Sequence, residues 1–274
     1  MEISLTERLT YSTVLIKCKY KNGDTGSGTG FIVNMCIDKV NKKCIPVIVT
    51  NNHVVEDSIS TEFEFCKANE KNMPIDTDVH TFTNNGAINW IHHPDPDVDL
   101  CCLPIGQIIN NLEINKAHIF YIPLELDLVV KHDVVDILSA SEDLIMIGYP
   151  IGLMDQFNHK PIIRRGITAT HLKNDYQGKK EFLVDMACFP GSSGSPIFIF
   201  NNGLVYQGKG QYSLGSRIAL AGILCRGPQY TAKGNIVFAN LPNMPITATN
   251  IPINLGIAIK AERLFEFESI LKSL

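Results

Sequence analysis

Short runs of β-branched and aromatic residues, each stopped by a turn signal, set the strongest limit on what this chain can fold into. Val14-Leu-Ile-Lys-Cys18, Gly30-Phe-Ile-Val33, Pro46-Val-Ile-Val-Thr50, Leu144-Ile-Met-Ile147, Ser195-Pro-Ile-Phe-Ile-Phe200 and Ile218-Ala-Leu-Ala-Gly-Ile-Leu224 read as strands. Asn-Gly, Gly-Asp, Asn-Asn-Gly and Gly-Pro pairs break the chain between them. Residues 54–98 read as one or two strands with extended surface loops. The clearest helical periodicity is in the last stretch, Ala261–Leu274, where Leu264, Phe267, Ile270, Leu271 and Leu274 share one face. Strands do not alternate with helices, which argues against a doubly wound α/β fold. A chain of 274 residues can build two β units with their own cores. The expected fold is all-β, with an N-terminal half over 1–128, a C-terminal half over 129–260 and a C-terminal α-helix over 261–274. The division falls in the irregular stretch Pro123–His132.

Charge narrows the partners. The net charge is −4 and charged residues make up 19% of the chain, so no basic surplus points to nucleic acid or an anionic membrane. No apolar run approaches the roughly 18 residues of a membrane span. The opening MEISLTERLT lacks a charged segment followed by an apolar one, so no signal peptide is expected and the expected location is cytoplasmic. The eight cysteines form no C-x-x-C pair and are expected as reduced, mostly buried thiols. Neither a cofactor nor a metal is expected.

The segment richest in chemistry is Asp185-Met-Ala-Cys-Phe-Pro-Gly-Ser-Ser-Gly-Ser-Pro-Ile-Phe198. Its small residues allow a tight loop whose backbone N–H groups converge while a hydroxyl attacks a carbonyl; a plain Gly/Ser surface turn has the same composition. A serine needs a base. Of the eight histidines, only His53 ends a strongly apolar strand, Val47-Ile-Val-Thr-Asn-Asn-His-Val-Val55, where a rigid element can hold it. His92 and His93 precede a Pro-Asp-Pro turn and read as solvated loop residues. The base needs an acid to fix its tautomer. Asp99 leads into the apolar Leu-Cys-Cys-Leu, and Asp97, two residues earlier, is the alternative on the same face; a solvated loop or weak cation site is the bland reading of this acidic stretch. The Gly-rich stretch Gly23–Gly30 lacks a nucleotide-binding spacing and reads as a hairpin turn into the strand at Phe31.

The order His53…Asp99…Ser193, with separations of 46 and 94 residues, is that of the double-barrel serine proteases. Asp24 or Asp38 would supply the subtilisin order, but the helix-rich sequence of that fold is missing. Thr-Asn-Asn-His53-Val-Val, Asp99-Leu, Asp185-Met-Ala-x-x-Pro-Gly-Ser-Ser193-Gly-Ser-Pro and Gly28-Thr-Gly-Phe-Ile-Val33 resemble motifs of the trypsin-like serine peptidases, especially the HtrA-like branch. The similarity runs over most of residues 10–230. It implies two antiparallel six-stranded β-barrels, chymotrypsin-like, with the site between them. Carried over residue by residue, it implies Ser193 as nucleophile, His53 as general base and acid, Asp99 as orienting partner, and the backbone N–H groups of Gly191 and Ser193 as oxyanion hole. It also implies Ala187 at the base of the primary specificity pocket, Leu224 on its wall, and Cys225-Arg226-Gly227 as the edge that pairs with substrate backbone. With no acid at 187, a small or medium apolar P1 residue is expected.

The sequence departs from the family pattern in three places. Ser195 replaces a common glycine, Ser192 stands where activated trypsins carry an internal salt-bridge aspartate, and only the terminal helix follows Lys260 where HtrA proteins usually carry a PDZ domain. The segment Gly148–Gly166 reads as a strand, a long exposed loop and a return strand; the loop reads as a solvated one, with gating of the site as the alternative. The expected activity is therefore an intracellular serine endopeptidase acting on protein or peptide substrates. An activating protein partner is expected if the Phe189–Gly194 loop rests in a collapsed form. The rival reading is a protease-fold binding module that recognises a peptide without cleaving it.

Overall fold

The computed structural model describes residues 3–86, 89–235 and 246–273. In the first half, helix α1 (Leu5–Thr10) leads into β1 (Thr13–Tyr20), β2 (Thr25–Asp38) and β3 (Lys43–Thr50). A single turn, α2 (Asn52–Val55), is followed by β4 (Ser58–Ala68), β5 (Pro74–Asn85), β6 (Ile91–His92) and β7 (Cys101–Pro104). Helix α3 (Gly106–Ile114), β8 (Ile119–Phe120) and β9 (Leu124–Glu125) complete it. After α4 (His132–Val135), the second half contains β10 (Asp143–Gly148), β11 (Ile162–Thr168), β12 (Glu181–Asp185), β13 (Pro196–Tyr206), β14 (Tyr212–Arg226), β15 (Gln229–Asn235), β16 (Ile246–Pro252) and β17 (Leu255–Lys260), and α5 (Phe267–Leu271) ends it.

Each strand run read from the sequence falls in a strand, because period-2 burial selects β-branched residues on a pleated surface. The first sheet follows the path β5-β4-β1-β2-β3-β7-β6, with β8 on β4 and β9 on β2. The second half closes as a barrel in the order β10-β11-β12-β17-β14-β13. The architecture is thus mostly β and chymotrypsin-like, with two antiparallel sheets. The expected six strands describe the barrel of the second half, where β15 and β16 pair apart from it as a two-stranded sheet; the first sheet carries nine. The stretch after His53 supplies the long β4–β5 hairpin, whose strands pair from Ser60↔Asn85 to Ala68↔Pro74.

Three apolar clusters hold the chain together. One fills the first half around Ile16, Ile48 and Phe63, and one fills the barrel around Leu144, Phe182 and Ile197. The third joins the halves, with Phe31, Val33 and Val49 against Ile145, Phe198 and Ile223. The C-terminal segment caps that shared core through Leu264, Phe267 and Leu271. Its first turn is a 3-10 helix, Ala261–Glu266, rather than the expected α-helix, which is confined to α5; Leu274 lies outside the described residues. His93 is a correction: it is buried, accepts from Asp95 N–H at 3.0 Å and contacts Arg263 O at 3.2 Å, fastening this C-terminal segment to the first half. Two Pro residues flanking Asp95 marked the stretch as a loop, but a loop overlaid by a later segment is not solvated.

Candidate active site

Register builds the first part of the site. β3 and β7 pair antiparallel with Thr50 opposite Cys101, so continuing the ladder sets residue 52 against Asp99. Val47, Ile48 and Val49 are fully buried, and Val54 and Val55 anchor the turn that follows them. His53 is therefore carried on a fixed support while its own side chain stays 45% exposed. Asn51, fully buried, donates from Nδ2 to the Asp99 carbonyl at 2.7 Å. Gly28 matters here, because a Cβ on it would lie 2.3 Å from Val54 Cγ1 and displace the histidine turn.

Asp99 uses both oxygens. Oδ1 accepts the His53 backbone N–H at 3.1 Å, and Oδ2 lies 2.5 Å from His53 Nδ1. A carboxylate only accepts, so Nδ1 carries the proton and Nε2 is left free as a base. Cys225 Sγ also donates to Oδ2, at 3.3 Å. Burial by itself raises the pKa of Asp99, but the hydrogen bonds and charge of His53 outweigh it and hold the carboxyl below its usual range. Burial, with Asp99 beside it, pushes the Cys225 thiol up to about 12, so it serves as a donor and not as a thiolate. Asp97, the alternative partner, is exposed and donates its N–H to Asp95, away from the imidazole.

The second part comes from the loop between β12 and β13. Gly191 and Gly194 sit at φ of +82° and +84°, a region open to glycine without strain. The loop is clamped from both halves of the molecule. Thr29 N–H donates to the Ser193 carbonyl at 2.9 Å, and Thr29 Oγ1 donates to the Gly191 carbonyl at 3.0 Å. Gly194 N–H donates to Leu224 O at 2.8 Å, and Pro190 O accepts from Ile151 N–H at 2.5 Å. The amides of Gly191 and Ser193 make no hydrogen bond among the described residues.

Gly194→Ala is expected to disable the loop. The new Cβ would stand 1.9 Å from the Thr29 carbonyl oxygen, and the left-handed backbone alone adds roughly 1–3 kcal/mol of strain. A fall in melting temperature of roughly 5–10 °C is expected, with loss of whatever reactivity Ser193 has; thermal melts and serine-probe labelling check both.

His53 and Ser193 line one cleft of about 240 Å³, together with Cys188, Phe189, Pro190, Leu224, Cys225, Arg226, Gly227 and Pro228. The two are not hydrogen-bonded to each other: Ser193 Oγ donates to the Cys225 carbonyl at 3.2 Å. Ala187 does not line the cleft. Its carbonyl accepts from Arg164 Nη1 at 2.7 Å, beneath the loop. Cys188 occupies the interior, packed so closely on Gly256 that a Cβ there would meet its Sγ at 2.5 Å. Leu224, Cys225, Arg226 and Gly227 line the cleft, and Arg226 is paired with Glu181 at 2.8 Å. Sequence reading missed Thr29 as a clamp, the Cys225 thiol as a donor and Arg164 altogether. Only for Thr29 was there a signal, in the motif Gly28-Thr-Gly30.

Residues 28–206, which is more than half of the chain, match the trypsin-like peptidase domain. The chain belongs to the trypsin-like peptidase family. Solved structures agree in fold. An HtrA-type protease, AlgW, bound to a tripeptide superposes with a TM-score of 0.50 at 15% identity, over 98% of this chain and 62% of that one. The serine endoprotease from Yersinia pestis gives 0.50 at 14%, over 97% and 64%. The catalytically active tobacco etch virus protease, complexed with product, gives 0.51 at 10%, over 100% and 82%. This peptidase chain thus spans less than two thirds of the length of the two HtrA-like and endoprotease neighbours. No curated protein sequence matches it.

Proposed function

We propose that this trypsin-like peptidase is an intracellular serine endopeptidase that works through an acyl-enzyme, with Ser193 as nucleophile, His53 as base and acid, and Asp99 as orienting partner. The observation that carries the reading is the His53–Asp99 pair, 2.5 Å apart, opening into the cleft that also holds Ser193. The reaction begins with rotation of Ser193 about χ1, which trades the Cys225 carbonyl for His53 Nε2. The exchange gives up one neutral hydrogen bond, about 1 kcal/mol. Oγ then attacks the substrate carbonyl as its proton passes to Nε2. The imidazolium is stabilised by the Asp99 carboxylate, and the Gly191 and Ser193 amides receive the negative charge on oxygen. Proton return from Nε2 releases the amine, and water repeats the sequence to free the acid.

A peptide is the proposed substrate; AlgW is one fold neighbour with a bound tripeptide. Among the described residues no carboxylate lines the cleft, and Cys188 and Leu224 supply apolar wall, which supports a small or medium apolar P1 residue over Lys or Arg. All eight cysteines are unpaired, which suits a reducing, intracellular compartment. Engagement of Ser193 Oγ by the Cys225 carbonyl supports a resting form that substrate or an activating partner converts. Incubation of the purified chain with a fluorophosphonate, followed by peptide mapping, is expected to place the adduct on Ser193. A chain left unlabelled with and without peptide substrate, but still binding peptide, would establish the non-cleaving binding module instead.

A further inference from the structure

Beneath the nucleophile loop lies a cation that the chemistry above does not use. β11 exposes Ile163 and Arg165 and turns Arg164, between them, inward. Arg164 Nη1 donates to the Ala187 carbonyl at 2.7 Å and to Ser192 Oγ at 2.8 Å. Its Nε and Nη2 are buried and have no hydrogen-bond partner among the described residues. No carboxylate forms a salt bridge with it there, although the molecule pairs most of its other arginines with acids. Burial lowers its pKa, yet a guanidinium does not shed its proton in a protein, so the charge remains. An unpaired buried charge is costly, and an apolar side chain would avoid that cost.

What the charge holds explains its place. Ser192 is fully buried, directly between Gly191 and Ser193. With glycines at 191 and 194 the loop has much backbone freedom, and the Ser192 side chain is the inward anchor that can restrain it. Fixing that hydroxyl fixes the 192–193 peptide, and this peptide carries the Ser193 amide. The second bond, to Ala187 O, ties down the segment that enters the loop.

We propose that Arg164 is a positioning residue for acyl transfer: its buried guanidinium clamps the Ala187 carbonyl and the Ser192 hydroxyl and so sets the loop that presents Ser193 and the Gly191 and Ser193 amides. It rests on the serine-peptidase reading and is tested beside it. Acylation by a fluorophosphonate and turnover of a peptide ester are measured for the wild type, Arg164→Gln, Arg164→Met, Arg164→Lys and Ser192→Ala. Arg164→Gln and Ser192→Ala are expected to lower kcat about tenfold to a hundredfold, the cost of misplacing reacting groups, with KM within about twofold. Arg164→Lys, which keeps a donor and the charge, is expected to recover part of the loss. Arg164→Met is expected to melt no lower than the wild type while losing activity, a split that a merely structural arginine would not give. Wild-type kcat in both Arg164→Gln and Ser192→Ala overturns the proposal, as does a loss confined to KM. If Arg164→Gln does not fold, Ser192→Ala decides alone. If the wild type is never acylated, the peptidase reading fails separately, and amide exchange across 189–195 then decides whether the clamp exists: unchanged exchange in Ser192→Ala overturns it.

Discussion

Ser193→Ala is expected to reduce peptide turnover by about four to six orders of magnitude and to abolish fluorophosphonate labelling, with the fold intact. The change removes one oxygen that makes one hydrogen bond, to the Cys225 carbonyl. The carbonyl it leaves belongs to a half-open cleft where water can replace the hydroxyl, so the melting temperature is expected to stay within about 2 °C of wild type. The backbone bonds that hold the loop do not involve Oγ: Thr29 N–H still reaches the residue-193 carbonyl, and Gly194 N–H still reaches Leu224 O. Chemistry and stability are thus separable at this position. A labelled alanine variant, or one with wild-type turnover, would mean that the attacking group lies elsewhere.

Asp99→Asn carries the second largest effect, about four orders of magnitude in kcat. The carboxylate now forces the proton onto His53 Nδ1. An amide can turn its NH2 toward the ring, which places the proton on Nε2, where the ring can no longer accept the Ser193 proton. The His53 backbone N–H and the Cys225 thiol also lose a charged acceptor. The sign of the pH dependence follows from the direction of the shift. The folded-state pKa of Asp99 is depressed, so the carboxylate contributes stability above the unfolded value of about 3.9, and that contribution fades as pH falls through the lower folded value. The stability difference between wild type and Asp99→Asn is therefore expected to be flat above about pH 5 and to shrink below about pH 4. Denaturant titrations across that range measure it. A difference that grows with acid would contradict the carboxylate's part in the pair.

Much of this peptidase was legible along the chain. Val47–Val49 and Leu144–Ile147 read as buried strands, because short apolar runs rich in Val and Ile between turn signals favour strand over helix. The order His53, Asp99, Ser193 limited the fold that could bring such groups together. Other elements escaped. Helix α3 has a weak pattern in which only Leu112 is buried. The Gly-rich stretch is turn only at Gly23, whose φ is +89°; β2 already begins at Thr25, and Gly28 within it allows close passage beneath Val54.

The residues that set the site's geometry lie far apart in sequence and are drawn from both halves. Thr29 holds a loop more than 160 positions away, Cys225 reaches Asp99 across the cleft, and Arg164 grips the loop from below. Local sequence dictates strands, turns and the chemical types available, because those depend on neighbours within a few residues. Which hydroxyl, thiol or guanidinium meets which partner depends on sheet register and on how two units pack over a shared core, and only the assembled chain decides that.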